Sequence, residues 1–163
     1  MTRAAIYAGS FDPLTNGHVD IVQRGLRTFD RVILAVANNP NKNHTFSLAE
    51  RMEMAKGAIG HLPGVTVDSF DGLLVDYAKK TGEFIMLRGL RAISDFEGEF
   101  QLATMNRNLL PQLESVFMMT SEENLYLSSR LVREVASFGG DVRAMVPGTV
   151  WEALKKRYQI AIG

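Results

Sequence analysis

Gly9-Ser10-Phe11-Asp12-Pro13-Leu14-Thr15-Asn16-Gly17-His18 stands directly after the short apolar run Ala4 to Ala8 and directly before a helical pattern. From Gly17 onward, His18, Ile21, Val22, Gly25, Leu26 and Phe29 recur at i, i+3, i+4 and i+7, which puts them on one helical face. A strand, a glycine-bearing turn and a helix in that order open a βαβ unit.

The same alternation runs to the end of the chain. Val32 to Val36 is continuous and β-branched, the composition of a strand buried on both faces. Ser47-Leu48-Ala49-Glu50 is a capping box that opens a helix running to about His61. Val65 to Val67 reads as a third strand, Leu73 to Lys80 as a short helix, and Phe84 to Leu87 as a fourth strand. A helix from about Asp95 to Leu110 precedes a fifth strand, Val116 to Met119, and Ser128 to Ser137 and Val150 to Tyr158 read as closing helices. This order predicts an α/β fold: a single Rossmann-like domain over residues 1–163, with a mainly parallel five-stranded sheet and helices on both faces. No repeat, low-complexity tract or linker interrupts it. In such sheets ligands bind beyond the carboxyl ends of the strands.

Composition narrows the function. The 163 residues are 46% apolar and 22% charged, ordinary values for one globular domain. Lys+Arg and Asp+Glu are both 18, so no global basic field exists to hold nucleic acid, and an anionic ligand must meet a local cluster of cations. Zero cysteines exclude disulfides and thiolate metal sites. No apolar run approaches the roughly 20 residues that span a bilayer. With no signal-peptide layout at Met1 to Tyr7, a cytoplasmic location without membrane partners is expected.

The polar residues gather at strand ends. In the first turn, Gly9 and the Ser10 hydroxyl allow close approach to a phosphate, and the free N–H groups of the next helix favour an anion. His18 falls in the first helical turn, where its ring can donate to a phosphoryl oxygen. Lys42 follows the second strand, either as a phosphate contact or as a solvated loop lysine. Arg88-Gly89-Leu90-Arg91 follows the fourth, with arginines suited to bidentate phosphate binding. Tyr126-Leu127-Ser128-Ser129-Arg130 leads into a helix that also carries Arg133; one serine suffices as N-cap, and the second suggests a further phosphate cradle.

Several patterns are missing or mute. Neither the P-loop nor the dinucleotide glycine pattern occurs. His44 and His61 lack metal-ligand spacing and read as surface residues, and the eight methionines read as core filler. Asp12, Asp95, Glu97 and Glu99 form no evident carboxylate pair; Glu99 either faces the site from an early helical turn or is solvated.

Gly9-Ser10-Phe11-Asp12-Pro13 with Thr15-x-Gly17-His18 resembles the T/H-x-G-H motif of the nucleotidyltransferase superfamily. Tyr126-Leu127-Ser128-Ser129 with Arg133 resembles its second signature, I-S-S-x-x-x-[RK]. Arg88-Gly89-Leu90-Arg91 with Asp95-Phe96-Glu97 is similar to the bacterial phosphopantetheine adenylyltransferases, over essentially the whole chain. The resemblance implies adenylyl transfer from ATP to 4′-phosphopantetheine, the penultimate step of coenzyme A biosynthesis, with Mg²⁺ carried by the ATP phosphates and no metal-binding side chains. It also implies a homohexamer. Position by position, Ser10, Lys42, Leu74 and Arg88 would contact phosphopantetheine. Ser10, Phe11, His18, Gly89, Leu90, Arg91, Glu99, Asn124, Leu125, Tyr126, Leu127, Ser128, Ser129 and Arg130 would contact ATP. His18, Lys42 and Arg91 would serve catalysis, His18 as transition-state stabiliser. The chain departs from the pattern at Ser10 (often Thr), Gly98 (often aromatic) and Arg130 (a third serine). Other readings are a nicotinamide mononucleotide or glycerol-phosphate enzyme of the superfamily, or a nucleotide sensor without catalysis, which would have no use for His18.

Overall fold

Alternate residues of the first two strands serve opposite sides of the sheet. Ala5 and Tyr7 of β1 (Ala4–Gly9) and Val32, Leu34 and Val36 of β2 (Arg31–Asn38) enter one apolar cluster, while Ile6, Ala8, Ile33 and Ala35 enter another. This is the period-2 geometry of a strand covered on both faces. The computed structural model describes residues 2–162. The remaining strands are β3 (Val65–Asp71), β4 (Ile85–Leu90) and β5 (Glu114–Met119). All pairings are parallel, in the order β3-β2-β1-β4-β5. The order reverses at β1, and that switch point is where an open α/β sheet offers a crevice.

Six α-helices cover the faces. The larger cluster takes in Ile21 and Val22 from α1 (Asn16–Gly25), and Met54, Ala55 and Ile59 from α2 (Leu48–Ile59). It is completed by Val132 and Ala136 of α5 (Ser129–Ser137) and Val150, Trp151 and Leu154 of α6 (Gly148–Tyr158). On the opposite face α3 (Leu74–Thr81) supplies Val75, Tyr77 and Ala78, and α4 (Ile93–Leu109) lies over β4 and β5. A Cβ at Gly25 would stand 2.8 Å from Leu87 Cδ2 of β4, so the glycine sets how closely α1 docks. The capping box at Ser47 and Glu50 is formed in both directions.

The differences from the sequence reading have physical causes. α1 stops at Gly25, with Leu26 as its C-cap, so Phe29 reaches the core from the connection rather than from the helix. β3 extends to Asp71 and β4 to Leu90, past the apolar runs Val65 to Val67 and Phe84 to Leu87. Arg88, Gly89 and Leu90 therefore lie within β4, paired to Phe117, Met118 and Met119, and not after it. The methionines divide: Met54 and Met86 are buried, but Met105 and Met119 are exposed.

Candidate active site

Across the carboxyl edge of the sheet lies a cleft of about 520 Å³, bounded by the β1–α1 turn, the β2–α2 loop, the end of β4 and the start of α5. In the first of these, Phe11 takes a left-handed backbone (φ 45°). Its buried ring meets Tyr7 at 5.3 Å and His18 at 5.1 Å, both edge to face. Thr15 is the N-cap of α1 and His18 is residue N3. The Thr15 N–H donates to His18 Nδ1 at 2.9 Å, the return bond that Glu or Gln makes in a capping box. A backbone N–H can only donate, so Nδ1 carries the lone pair and Nε2 the hydrogen. Burial first, then the charges of Arg91 and Arg88, lowers the His18 pKa from 6.5 to about 4. At neutral pH the ring is thus an uncharged Nε2–H donor.

The β2–α2 loop is anchored to that turn from two sides. The Asp12 carboxylate accepts the N–H groups of Thr45 (2.8 Å) and Phe46 (2.9 Å). Arg51 of α2, 1% exposed, donates to the carbonyls of Phe46, Ser10 and Ala37 at 3.2, 2.7 and 3.0 Å. Lys42 rides on this loop, in a turn closed by its N–H to Asn39 C=O. It lines the cleft, and its ammonium has no ion-pair partner among the described residues. His44 also lines the cleft, half-buried with Nε2 sealed and without a partner, so its reading as a surface residue is corrected. His61 is exposed.

Arg88 projects from β4 into a clamp. Its Nε and Nη2 donate to the two oxygens of Glu99 at 2.7 and 2.6 Å, and Nη1 donates to Ala8 C=O at 2.6 Å. Three of five guanidinium N–H bonds are engaged, so two remain for a ligand. Glu99 is therefore neither solvated nor free to face the cleft: it orients Arg88. Arg91 is held in the same manner, by Asp95 and by donation to Leu127 C=O at 2.8 Å. At α5, Ser128 is the N-cap and accepts Leu131 N–H, while Ser129 Oγ donates to Pro13 C=O at 2.7 Å. Arg133 reaches across to the Asp12 carbonyl and lies near its carboxylate. Ser129 and Arg133 thereby tie α5 to the first turn, while Ser128 caps the helix.

Of the residues singled out from sequence, Ser10, Phe11, His18, Lys42, Arg88, Gly89, Arg91, Asn124, Leu127, Ser128 and Ser129 line the one cleft. Leu74, Leu90, Glu99, Leu125, Tyr126 and Arg130 do not. Leu74 packs beside Phe70 and Phe84 on the smaller core cluster, because the register of α3 turns it inward and leaves Leu73 exposed. Tyr126 borders a separate groove along α1, and Arg130 is exposed. Tyr7 and Thr120 line the cleft unheralded, and Asp12 and His44 join it with no role there expected from sequence. Asp12 is the only carboxylate among the lining residues, set against Lys42, Arg88, Arg91 and Arg133, and two amides occupy it. The cleft is therefore a cationic socket with a neutral imidazole donor at His18 and no free carboxylate among its lining residues.

That combination, at the switch point of a parallel sheet, suits transfer of a phosphoryl-linked group between anions. The sequence pattern of the cytidylyltransferase-like family matches residues 6–135, from β1 to within α5. A phosphopantetheine adenylyltransferase of Anaeromyxobacter sp. (strain K) is 60% identical over 157 residues, 96% of each chain. That of Alkalilimnicola ehrlichii is 53% identical over 160 residues, covering 97% of this chain and 92% of the relative. That of Alkaliphilus oremlandii is 51% identical over 156 residues, covering 96% and 99%. The chain belongs to the cytidylyltransferase-like family of nucleotidyltransferases, and within it to the phosphopantetheine adenylyltransferases.

Proposed function

We propose that this chain transfers the adenylyl group of ATP to 4′-phosphopantetheine, giving dephospho-coenzyme A and pyrophosphate. The carrying observation is that the carboxylates nearest the cleft are engaged, Asp12 by amides, Glu99 by Arg88 and Asp95 by Arg91, while His18 presents an N–H. With no carboxylate free, a reaction that needs no general base suits this cleft. An acceptor phosphate is already ionised, so it meets that condition: one of its oxygens attacks the α-phosphorus in line, the bond from that phosphorus to the β-phosphate oxygen breaks, and pyrophosphate leaves with the electron pair. No proton has to move. Catalysis is positioning plus charge stabilisation. His18 Nε2–H donates to the α-phosphoryl oxygen, Lys42 and Arg88 hold the acceptor phosphate, and Arg91 meets the triphosphate.

Mg²⁺ enters with ATP, as part of the substrate. Among the described residues no cluster of three or more His, Asp or Glu side chains is arranged to hold a metal. Divalent magnesium favours phosphate oxygens and water over a protein cage in such reactions. No helix among the described residues is long and apolar enough to cross a membrane.

Self-association as a homohexamer belongs to the same reading. Ile93, Phe96, Phe100, Leu102, Met105 and Leu109 are exposed on α4, Ile93 at 92%, and Met119 at the end of β5 is exposed as well. At about 100° per residue Ile93, Phe96 and Phe100 share one side of α4 and Leu102, Met105 and Leu109 the opposite side. A monomer seldom leaves two such apolar faces in water, and further copies of the chain would cover them. The experiment that tests the reading as a whole is pyrophosphate release from ATP and Mg²⁺ across a panel of phosphorylated acceptors. Release with 4′-phosphopantetheine supports it, and release with another acceptor alone contradicts it.

A further inference from the structure

Tyr7 of β1 is 6% exposed, and its hydroxyl has no hydrogen-bond partner among the described residues. The oxygen is nevertheless not sealed, unlike His44 Nε2, and Tyr7 lines the cleft. Its ring sits edge to face on Phe11 at 5.3 Å and lies 6.3 Å from the His18 ring. Gly89 keeps the opening clear: a Cβ there would stand 3.7 Å from the hydroxyl and 3.0 Å from Ile21 Cγ1. Burial, the largest influence, holds the phenol protonated far above its ordinary range, against the pull of Arg88 and Arg91. It is a donor at every pH the protein meets.

A buried hydroxyl without a partner is uncommon in a native fold and calls for water or a ligand to satisfy it. The cations beside it select the ligand's chemistry. We propose that Tyr7 is a ligand-contact residue whose hydroxyl donates to a phosphoryl oxygen at the floor of the cleft, beside the one met by His18. The inference rests on the nucleotidyl-transfer reading. Either the α-phosphoryl group of ATP or the acceptor phosphate supplies the oxygen, and the test separates them.

Tyr7→Phe removes the hydroxyl and no protein hydrogen bond, so the variant should fold, with its melting temperature unchanged or raised. ATP and 4′-phosphopantetheine are titrated separately by calorimetry, and turnover is measured alongside. Loss of a hydrogen bond to a charged group weakens the affected step roughly ten- to hundredfold. A loss confined to ATP affinity assigns the nucleotide, a loss confined to phosphopantetheine assigns the acceptor, and a fall in kcat alone assigns the transition state. Unchanged affinities and kcat overturn the inference and leave a buried water as the partner. A lowered melting temperature with both affinities reduced equally also overturns it, in favour of a structural role. Should the wild type bind ATP yet fail to adenylate phosphopantetheine, the function reading falls, and the ratio of ATP affinities still decides Tyr7.

Discussion

The Thr15 amide donates to Nδ1 of His18, and this one bond at 2.9 Å fixes which nitrogen of the ring is free to serve a ligand. Helix start and catalytic tautomer are thus a single structural feature. His18→Ala should lower kcat roughly 10²–10³-fold, as for loss of one preorganised donor, with far smaller changes in substrate dissociation constants. His18→Gln supplies an acceptor for the Thr15 amide and should keep the melting temperature near that of the wild type without restoring turnover. Steady-state kinetics with calorimetric binding checks both. A folded alanine variant with near-normal kcat would remove His18 from the mechanism.

The same burial makes His18 a reporter of pH. Its pKa falls from 6.5 to about 4 on folding, so between those values the unfolded chain binds a proton that the folded chain does not. Stability from this residue is therefore fully present above pH 6.5 and declines as the pH drops toward 4. The melting-temperature difference between wild type and His18→Gln should be constant from pH 7 to 8 and should shift against the wild type below 6.5. A difference that stays flat down to pH 4 would contradict the buried neutral ring.

Arg88 and Glu99 should behave as a unit. Because both Glu99 oxygens are occupied by Arg88, Glu99→Gln loosens the guanidinium rather than removing an ATP contact. It should raise KM for phosphopantetheine while leaving ATP affinity within about twofold, and Arg88→Lys should do the same more severely, a lysine being a point charge rather than a fork. In a double-mutant cycle the two changes should be strongly non-additive. Equal weakening of both substrates would instead assign Arg88 to the triphosphate.

Assembly is read most directly by sedimentation. The expected mass is about six times the 18.1 kDa of the chain, and Phe100→Asp on the exposed face of α4 should shift it downward. A wild-type species at the monomer mass would refute self-association.

The order of elements was legible because their apolar periodicity is uninterrupted, as in Val32 to Val36. Strand ends were less so: Asp68 and Ser69 of β3, and Arg88 and Gly89 of β4, break the apolar pattern while remaining in the ladder. His18, Lys42 and Arg91 could be picked out because histidine, lysine and arginine at strand exits are chemically conspicuous. Tyr7 could not, since a tyrosine in a strand usually signals only a pleated, half-buried surface. Arg51 resembles any solvated helical charge, and only the fold shows that three carbonyls hold it inside. Leu74, half-buried against the smaller core cluster, lies outside the lining of the cleft, and proximity to the sheet edge does not say which way a short helix turns its side chains.

The central claim is the acceptor, and the ratio of kcat/KM for 4′-phosphopantetheine and nicotinamide mononucleotide, each with ATP and Mg²⁺, measures it. Residues of the cleft provide cations for a phosphate but no free carboxylate for a positively charged ring, since Asp12, Glu99 and Asp95 are engaged. The account predicts dephospho-coenzyme A and pyrophosphate in equal amounts from the first acceptor and little product from the second. Nicotinamide mononucleotide equalling or exceeding phosphopantetheine would contradict the assignment, while nucleotidyl transfer itself would stand.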